Sequence, residues 1–355
     1  MLLEGLQLPL TTPFYPDGRL NLPKLEYNAS RYSKTPVAGL VALSDSGEPT
    51  LLSEEETRQT LRSVADAAAA EKVLIAGISR DSVAGTLDLA ETAADFGYDA
   101  VLVKGPSFFG AGNEHARALL TYFQVVADRS ALPVVLYSAA SMQGELLPVE
   151  MVIELAGHPR IIGLVEAAGV RQRARTIKDR ISGVKRDVAV TAVFAAVTGR
   201  MKARNYGAGR LVGGLVAADT LTEGDTALAT APAKSDTKTR TKAVGFQMLA
   251  ADTTGMLEAL RAGAVGAIAA FAASAPQSCY EVLAAWKDGD EGLAQEKQVR
   301  LQRVAQKVEE ELGVAGIKFG CDLNGYFGGR PRLPLLPLTG DQQAAVEALM
   351  LGLRH

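Results

Sequence analysis

The chain has 355 residues, of which 48% are hydrophobic and 22% charged, so it can bury a large core and does not have the composition of a disordered protein. Its formal net charge is −3 with both signs mixed along the chain, which excludes the basic footprint of a nucleic-acid-binding protein. The two cysteines, Cys279 and Cys321, form no CxxC pair and predict neither a disulfide framework nor a zinc site. We see no signal peptide and no apolar run of membrane length, so we expect a cytoplasmic protein without a membrane partner.

Short apolar runs rich in β-branched residues alternate with helix-like stretches along the first half of the chain. Ser53 with Glu56 three residues later forms a capping box before one of these helices. The predicted strands are LQLPL from residue 6, then 39–44, 72–79, 100–106, 133–137 and 161–165. Six strand–helix alternations with short connections predict a parallel sheet with right-handed crossovers, as an open doubly wound sheet or a closed barrel.

The second half of the chain breaks this rhythm twice. Residues 170–247 mix Gly, Thr, Ala and charge, and we expect an inserted hairpin or loop excursion at about 185–242, within the seventh repeat. Residues 256–271 then supply a further helix and strand, and from Cys279 onwards the pattern is helical. We therefore expect a barrel-type domain over 1–278 and a C-terminal helical extension over 279–355.

Several motifs occur in an order that resembles one known family, the dihydrodipicolinate synthase / N-acetylneuraminate lyase family. They are PLTTPFYPDGRLN (9–21), GLVALSDSGEPTLLSEEE (39–56), LPVVLYS (132–138), IIGLVEAAG (161–169), LRAGAVGAIAAFAASAP (260–276) and IKFGCDLNGYFGGRPRLPLLPLT (317–339). The resemblance covers the chain apart from the excursion. It implies a (β/α)8 TIM barrel with a C-terminal helical extension, and the chemistry of class I aldolases and lyases.

The resemblance also implies where the family's covalent chemistry would take place. In the family the sixth strand ends in Gly-Ile-Lys, and that lysine forms a Schiff base with a 2-oxo acid, usually pyruvate. The matching residues here end in Val165, whose side chain has no nitrogen and cannot form an imine. The family's strand-five tyrosine matches Tyr137, a candidate proton donor.

Other family positions are altered as well. The Thr-Thr pair that relays protons matches Asp45 and Ser46, and the arginine that binds the substrate carboxylate matches Met142. A tyrosine that a neighbouring subunit donates matches Phe108 or Phe109, which cannot relay protons. The resemblance thus predicts a barrel mouth of family descent whose catalytic residues have been replaced.

Residues at predicted strand ends are the remaining candidates, because ligands of parallel α/β folds bind at the C-terminal ends of the strands. Lys104 ends the fourth strand and is either a replacement nucleophile or a lysine turned to solvent. Asp45, Ser46 and Glu48 are either acid–base or binding groups, or they form turn hydrogen bonds and a loop charge. Ile268 is expected to line the mouth. Glu166 points away from Val165 by strand alternation and should pair with a basic group.

These observations predict a protein that binds a small 2-oxo or hydroxy acid at the barrel mouth without standard Schiff-base activity. If it is an enzyme, it is a carbon–carbon or carbon–oxygen lyase. The alternative is an inactive barrel that acts as a ligand-binding or protein-interaction module. No His/Asp/Glu cluster has metal-ligand spacing, so we expect neither a metal nor a cofactor. The resemblance implies a homodimer or homotetramer.

Overall fold

A computed structural model describes residues 1–106, 113–138, 146–167, 171–203 and 238–353. Its centre is a closed barrel of eight parallel strands, which confirms the predicted fold. The barrel strands are β1 (Gly5–Pro9), β2 (Gly39–Ala42), β3 (Val73–Gly77), β4 (Ala100–Val103), β5 (Val134–Ser138), β6 (Ile161–Glu166), β9 (Gln247–Ala250) and β10 (Gly266–Ala267). Around the barrel the order is β1-β10-β9-β6-β5-β4-β3-β2.

Strand alternation divides the apolar side chains between the inside and the outside of the barrel. Val41, Ile75, Leu102 and Val165 belong to one buried cluster inside the barrel. Neighbouring residues of the same strands, such as Leu40, pack outwards against the helices in a second, larger cluster. Strands buried on both faces explain why the sequence shows continuous apolar runs instead of polar–apolar alternation.

Helices cover the outside of the barrel. They are α1 (Leu22–Ser33), α2 (Glu54–Ala67), α3 (Val83–Asp95), α4 (Asn113–Arg129), α5 (Val149–Ala156), α6 (Arg171–Arg180), α7 (Met256–Arg261) and α8 (Pro276–Lys287). The predicted capping box is present at the start of α2, where Ser53 and Glu56 bond each other's backbone amides. No helix in the described ranges combines the length and the apolarity that crossing a membrane would require.

In its described residues the insertion contains an antiparallel pair of strands, β7 (Arg186–Thr191) and β8 (Thr239–Val244), between α6 and β9. Helix α6 leads back from the mouth and β9 is the next strand of the barrel, so this pair of strands lies at the N-terminal end of the barrel. The chain after β7 also contacts that end: the Gly199 amide donates to Asp99 Oδ1 at 2.7 Å, just before β4. The described part of the insertion is therefore remote from the barrel mouth.

The tail consists of α9 (Glu291–Ala305), α10 (Gly313–Leu323) and α11 (Gly340–Met350). Between α9 and α10 the chain forms a wide turn with π-helical hydrogen bonding, Gln306–Glu311, where the sequence alone indicates a continuous helix. Helix α8 spans the domain boundary expected at residue 278, and that boundary stays a prediction.

Candidate functional site

The loop after β2 carries the first group of candidate residues at the mouth. Leu43 has a left-handed backbone conformation (φ 59°), which is strained for a residue with a β-carbon. The adjacent strand accommodates it because a β-carbon on Gly77 would lie only 2.1 Å from the Leu43 carbonyl oxygen. Gly77 thus allows a close backbone approach, and the loop turns so that Asp45 faces the mouth.

Asp45 and Lys104 form an ion pair across the mouth, from the loop after β2 to the end of β4. Lys104 Nζ lies 2.6 Å from Asp45 Oδ1, and the two side chains are 36% and 47% exposed. The backbone amide of Lys104 donates to Ser79 Oγ at 2.9 Å, which positions the end of β4. Lys104 therefore presents a half-exposed ammonium group to the mouth, with Asp45 as its partner.

Tyr137 lies at the C-terminal end of β5, with its ring packed against the cluster inside the barrel. Burial is the largest cause that raises the pKa of its hydroxyl, followed by the negative charge of nearby Asp45. The hydroxyl therefore keeps its proton at neutral pH and can donate a hydrogen bond. Asp45, Lys104 and Tyr137 line one cavity with an empty volume of about 430 Å³, part of which is open to solvent.

Val165 and Ile268 lie inside the barrel and are both buried. Val165 is directly opposite Tyr137 in the β5–β6 register. The inner end of the mouth therefore carries an apolar side chain at position 165. Phe108, Phe109 and Met142 lie outside the described residues.

The remaining candidates on the loop after β2 do not line this cavity. Ser46 is buried, and its hydroxyl lies 3.2 Å from that of Ser44. Glu48 contacts the tail: its Oε1 lies 2.5 Å from Lys318 Nζ, and its Oε2 accepts from the Arg332 amide at 2.8 Å. Glu48 therefore joins the mouth loop to the tail.

Glu166 pairs with a basic group, as expected from strand alternation. Its carboxylate accepts from Arg173 Nε at 3.1 Å and from Nη2 at 3.2 Å, and both side chains are mostly buried. Burial raises the pKa of Glu166, while the guanidinium of Arg173 acts in the opposite direction. This pair lies between β6 and α6, outside the barrel interior.

Glu309 is a residue at the mouth that the sequence analysis did not identify. It lies on the wide turn before α10, and its Oε2 accepts from the amide of Phe271, four residues after β10, at 3.2 Å. Burial, followed more weakly by the charge of Asp252, raises the pKa of Glu309 to about 7. A π-helical turn often marks a functional residue, but no pattern in the sequence reveals the turn that carries Glu309.

No group of three or more His, Cys, Asp or Glu side chains within the described ranges is arranged to hold a metal ion. The mouth brings together the ammonium of Lys104, the protonated phenol of Tyr137 and the carboxyl groups of Asp45 and Glu309. They can bind an oxyanion, donate hydrogen bonds and exchange protons.

Comparisons with known proteins indicate one family. The model of the dihydrodipicolinate synthetase family matches residues 2–235 and 230–351. A 4-hydroxy-tetrahydrodipicolinate synthase from Methanothrix thermoacetophila is 25% identical over 349 residues, which cover 98% of this chain and 96% of the relative. An L-threo-3-deoxy-hexylosonate aldolase from Hypocrea jecorina is 27% identical over 99% of this chain and 95% of its own length.

Solved structures show the same fold. YagE, a prophage protein of E. coli K12 from the dihydrodipicolinic acid synthase family, was solved in complex with pyruvate. It superposes with a TM-score of 0.75 at 23% sequence identity, and the match covers 99% of each chain. At this identity the likeness concerns the fold.

Proposed function

The chain belongs to the dihydrodipicolinate synthetase family, and from that premise we propose that its barrel mouth binds a small 2-oxo or hydroxy acid without forming a Schiff base. The observation that carries this proposal is the pair of residues Tyr137 and Val165, opposite each other at the ends of β5 and β6. The tyrosine retains the polar group of a family site, whereas the valine offers no nucleophile. We infer a divergent active site.

We propose that the ammonium group of Lys104 binds the ligand's carboxylate. Its ammonium is half-exposed at the cavity, and its partner Asp45 is similarly exposed, so a ligand can compete for it at little cost. The protonated hydroxyl of Tyr137 would then donate to the 2-oxo or hydroxy oxygen. The hydroxy acids in the names of the two relatives, and the pyruvate in the YagE complex, support this ligand class.

The other predicted site residues complete the proposed lining. Val165 and Ile268 form an apolar floor that suits the ligand's carbon atoms, and Ser46 supports the loop. Phe108, Phe109 and Met142 are proposed as further lining residues from the resemblance alone. We assign Glu48 to the attachment of the tail. Family membership also leads us to propose a cytoplasmic homodimer or homotetramer, which light scattering tests.

Borohydride reduction in the presence of pyruvate tests the absence of a Schiff base. We expect no reduced adduct on any lysine of the wild-type protein by mass spectrometry. The V165K variant restores an amine where the family has one, and we expect an adduct at that position because a desolvated lysine is readily deprotonated. An adduct on Lys104 of the wild-type protein would overturn the proposal.

A thermal-shift screen over 2-oxo acids and sugar acids tests ligand binding. A ligand of the proposed class should stabilise the wild-type protein saturably, and K104M should weaken binding by about tenfold or more, because a charge-assisted hydrogen bond is lost. K297M is the matched control, since Lys297 pairs with Glu281 at 2.8 Å outside the barrel with similar exposure. Equal losses in both variants would contradict a site at Lys104.

Turnover of the bound acid decides between the two forms of the proposal. Cleavage of a carbon–carbon or carbon–oxygen bond, followed by mass spectrometry of the products, would identify a lyase. Stabilisation without turnover would favour the alternative, a ligand-binding module.

A further inference from the structure

The tail places the carboxyl group of Glu309 at the mouth, and specific contacts fix its position. The wide turn Gln306–Glu311 carries three consecutive glutamates. Glu310 and Glu311 are exposed: Glu310 Oε1 accepts from the Thr254 hydroxyl at 2.6 Å, and Glu311 pairs with Lys307 at 2.5 Å. Glu309 is half-buried and points towards the barrel, where the Phe271 amide holds one of its oxygens.

The π-helical turn explains why only one of the three carboxyl groups faces inwards. Such turns are rare, are wider than an α-helical turn and occur frequently at functional sites. The turn separates α9 from α10 and sets Glu309 beside the C-terminal end of β10. The negative charge of Glu309 acts on the Tyr137 hydroxyl, as does that of Asp45 from the other side of β1. The charges of Asp45, Glu309 and, more weakly, Asp252 therefore act on the same phenol.

The carboxyl groups of Asp45 and Glu309 differ in their partners. Asp45 has the Lys104 ammonium at 2.6 Å as its partner. Within the described part of the chain, no Lys, Arg or His lies at ion-pair distance from Glu309, and its charged neighbour is Asp252. Burial and that neighbour raise the pKa of Glu309 to about 7. A buried carboxyl group without a cationic partner, beside a paired one, is an arrangement that suits proton transfer.

We propose that Glu309 is the proton-transfer residue of the barrel mouth. The inference rests on the proposed function, since it requires a bound 2-oxo acid. The Glu309 carboxylate removes a proton from the carbon next to the carbonyl, and the C–H electron pair becomes the carbon–carbon π bond of an enolate. The carbonyl oxygen takes the negative charge and the Tyr137 hydroxyl stabilises it, while the Lys104 ammonium holds the carboxylate of the acid. Return of the proton from Glu309 to carbon closes the cycle without oxidant, reductant or metal.

Exchange of the pyruvate methyl protons in D2O, followed by proton NMR, tests this step. We expect the wild-type protein to catalyse exchange, with a rate that increases with pH through about 7 as Glu309 loses its proton. E309Q should reduce the rate by about 100-fold or more, because the amide cannot accept the proton. E311Q, two residues further on the same turn, should leave both the rate and its pH profile unchanged.

Glutamine at position 309 resembles the protonated carboxyl in shape, so E309Q should fold and should still bind pyruvate in a thermal-shift assay. Exchange that survives in E309Q overturns the inference. Pyruvate binding by the wild-type protein without exchange also overturns it, while the proposed function stands. If pyruvate does not bind at all, the proposed function fails for this acid, and the inference fails with it.

Discussion

Asp45 and Glu48 are three residues apart on the same loop, and each forms an ion pair, yet the two pairs differ in kind. Asp45 and Lys104 are 47% and 36% exposed, whereas Glu48 and Lys318 are both fully buried. An exposed pair gains little and can open to a ligand, while a buried pair must stay together because either charge alone is poorly solvated. A carboxylate just after a strand end can therefore belong either to a ligand site or to a buried structural contact.

Backbone geometry and the tail create this difference. Glu48 has a left-handed conformation (φ 55°) that ends the short turn of residues Asp45–Gly47. Its side chain meets Lys318 of α10, whose ammonium also lies 4.5 Å from the centre of the Phe14 ring. Burial lowers the pKa of Lys318, while the charge of Glu48 raises it. One end of the loop thus faces the cavity, and the other anchors the tail.

The largest effect should follow from breaking the buried pair. K318M leaves the Glu48 carboxylate buried without its cation, and we expect the free energy of unfolding to fall by about 3–5 kcal/mol in urea titrations. The double variant E48Q/K318M removes both charges and should recover most of that loss. If the double variant is as unstable as K318M, the loss comes from packing and not from the unpaired charge.

An intermediate effect is expected at a second contact of the tail, where Arg332 binds Glu56 through both Nη atoms at 2.6 and 2.7 Å. The guanidinium lowers the pKa of Glu56 to about 2, below its ordinary value of 4.5. The pair's stabilisation is therefore complete above pH 4.5 and is lost as the pH falls towards 2. We expect R332Q to cost about 1–3 kcal/mol at pH 7 and progressively less in acid unfolding titrations. A difference that is independent of pH would show that the Arg332 bonds to Gly18 and Leu51 carbonyls dominate.

The smallest effect on stability should come from the exposed pair. K104M is expected to change the free energy of unfolding by less than about 1 kcal/mol, because this pair is already partly solvated and screened. Urea titrations at low and high salt measure this, and wild-type stability should approach that of K104M as salt increases. A loss comparable to that of K318M would remove the distinction between the two pairs.

Several parts of the fold and the site could be predicted from the sequence because they depend on local patterns. The apolar runs predicted the strands, and the capping box at Ser53 predicted the start of α2. Strand ends predicted that Tyr137, Asp45 and Lys104 would share one edge, and the three line one cavity. Alternation along β6 predicted that Glu166 would pair with a basic residue, which the Arg173 contact confirms.

The sequence by itself determined a parallel sheet with helices between its strands, because a parallel strand buried on both faces requires an uninterrupted apolar run. These runs fit an open doubly wound sheet as well as a closed barrel, and closure was expected only from the resemblance to the family. Only the tertiary structure decided the roles of Glu48 and Glu309. Glu48 has a buried partner 270 residues away, and Glu309 reaches the mouth through a turn that interrupts an apparently continuous helix. Contacts between distant segments depend on packing in three dimensions, and no local periodicity along the chain records them.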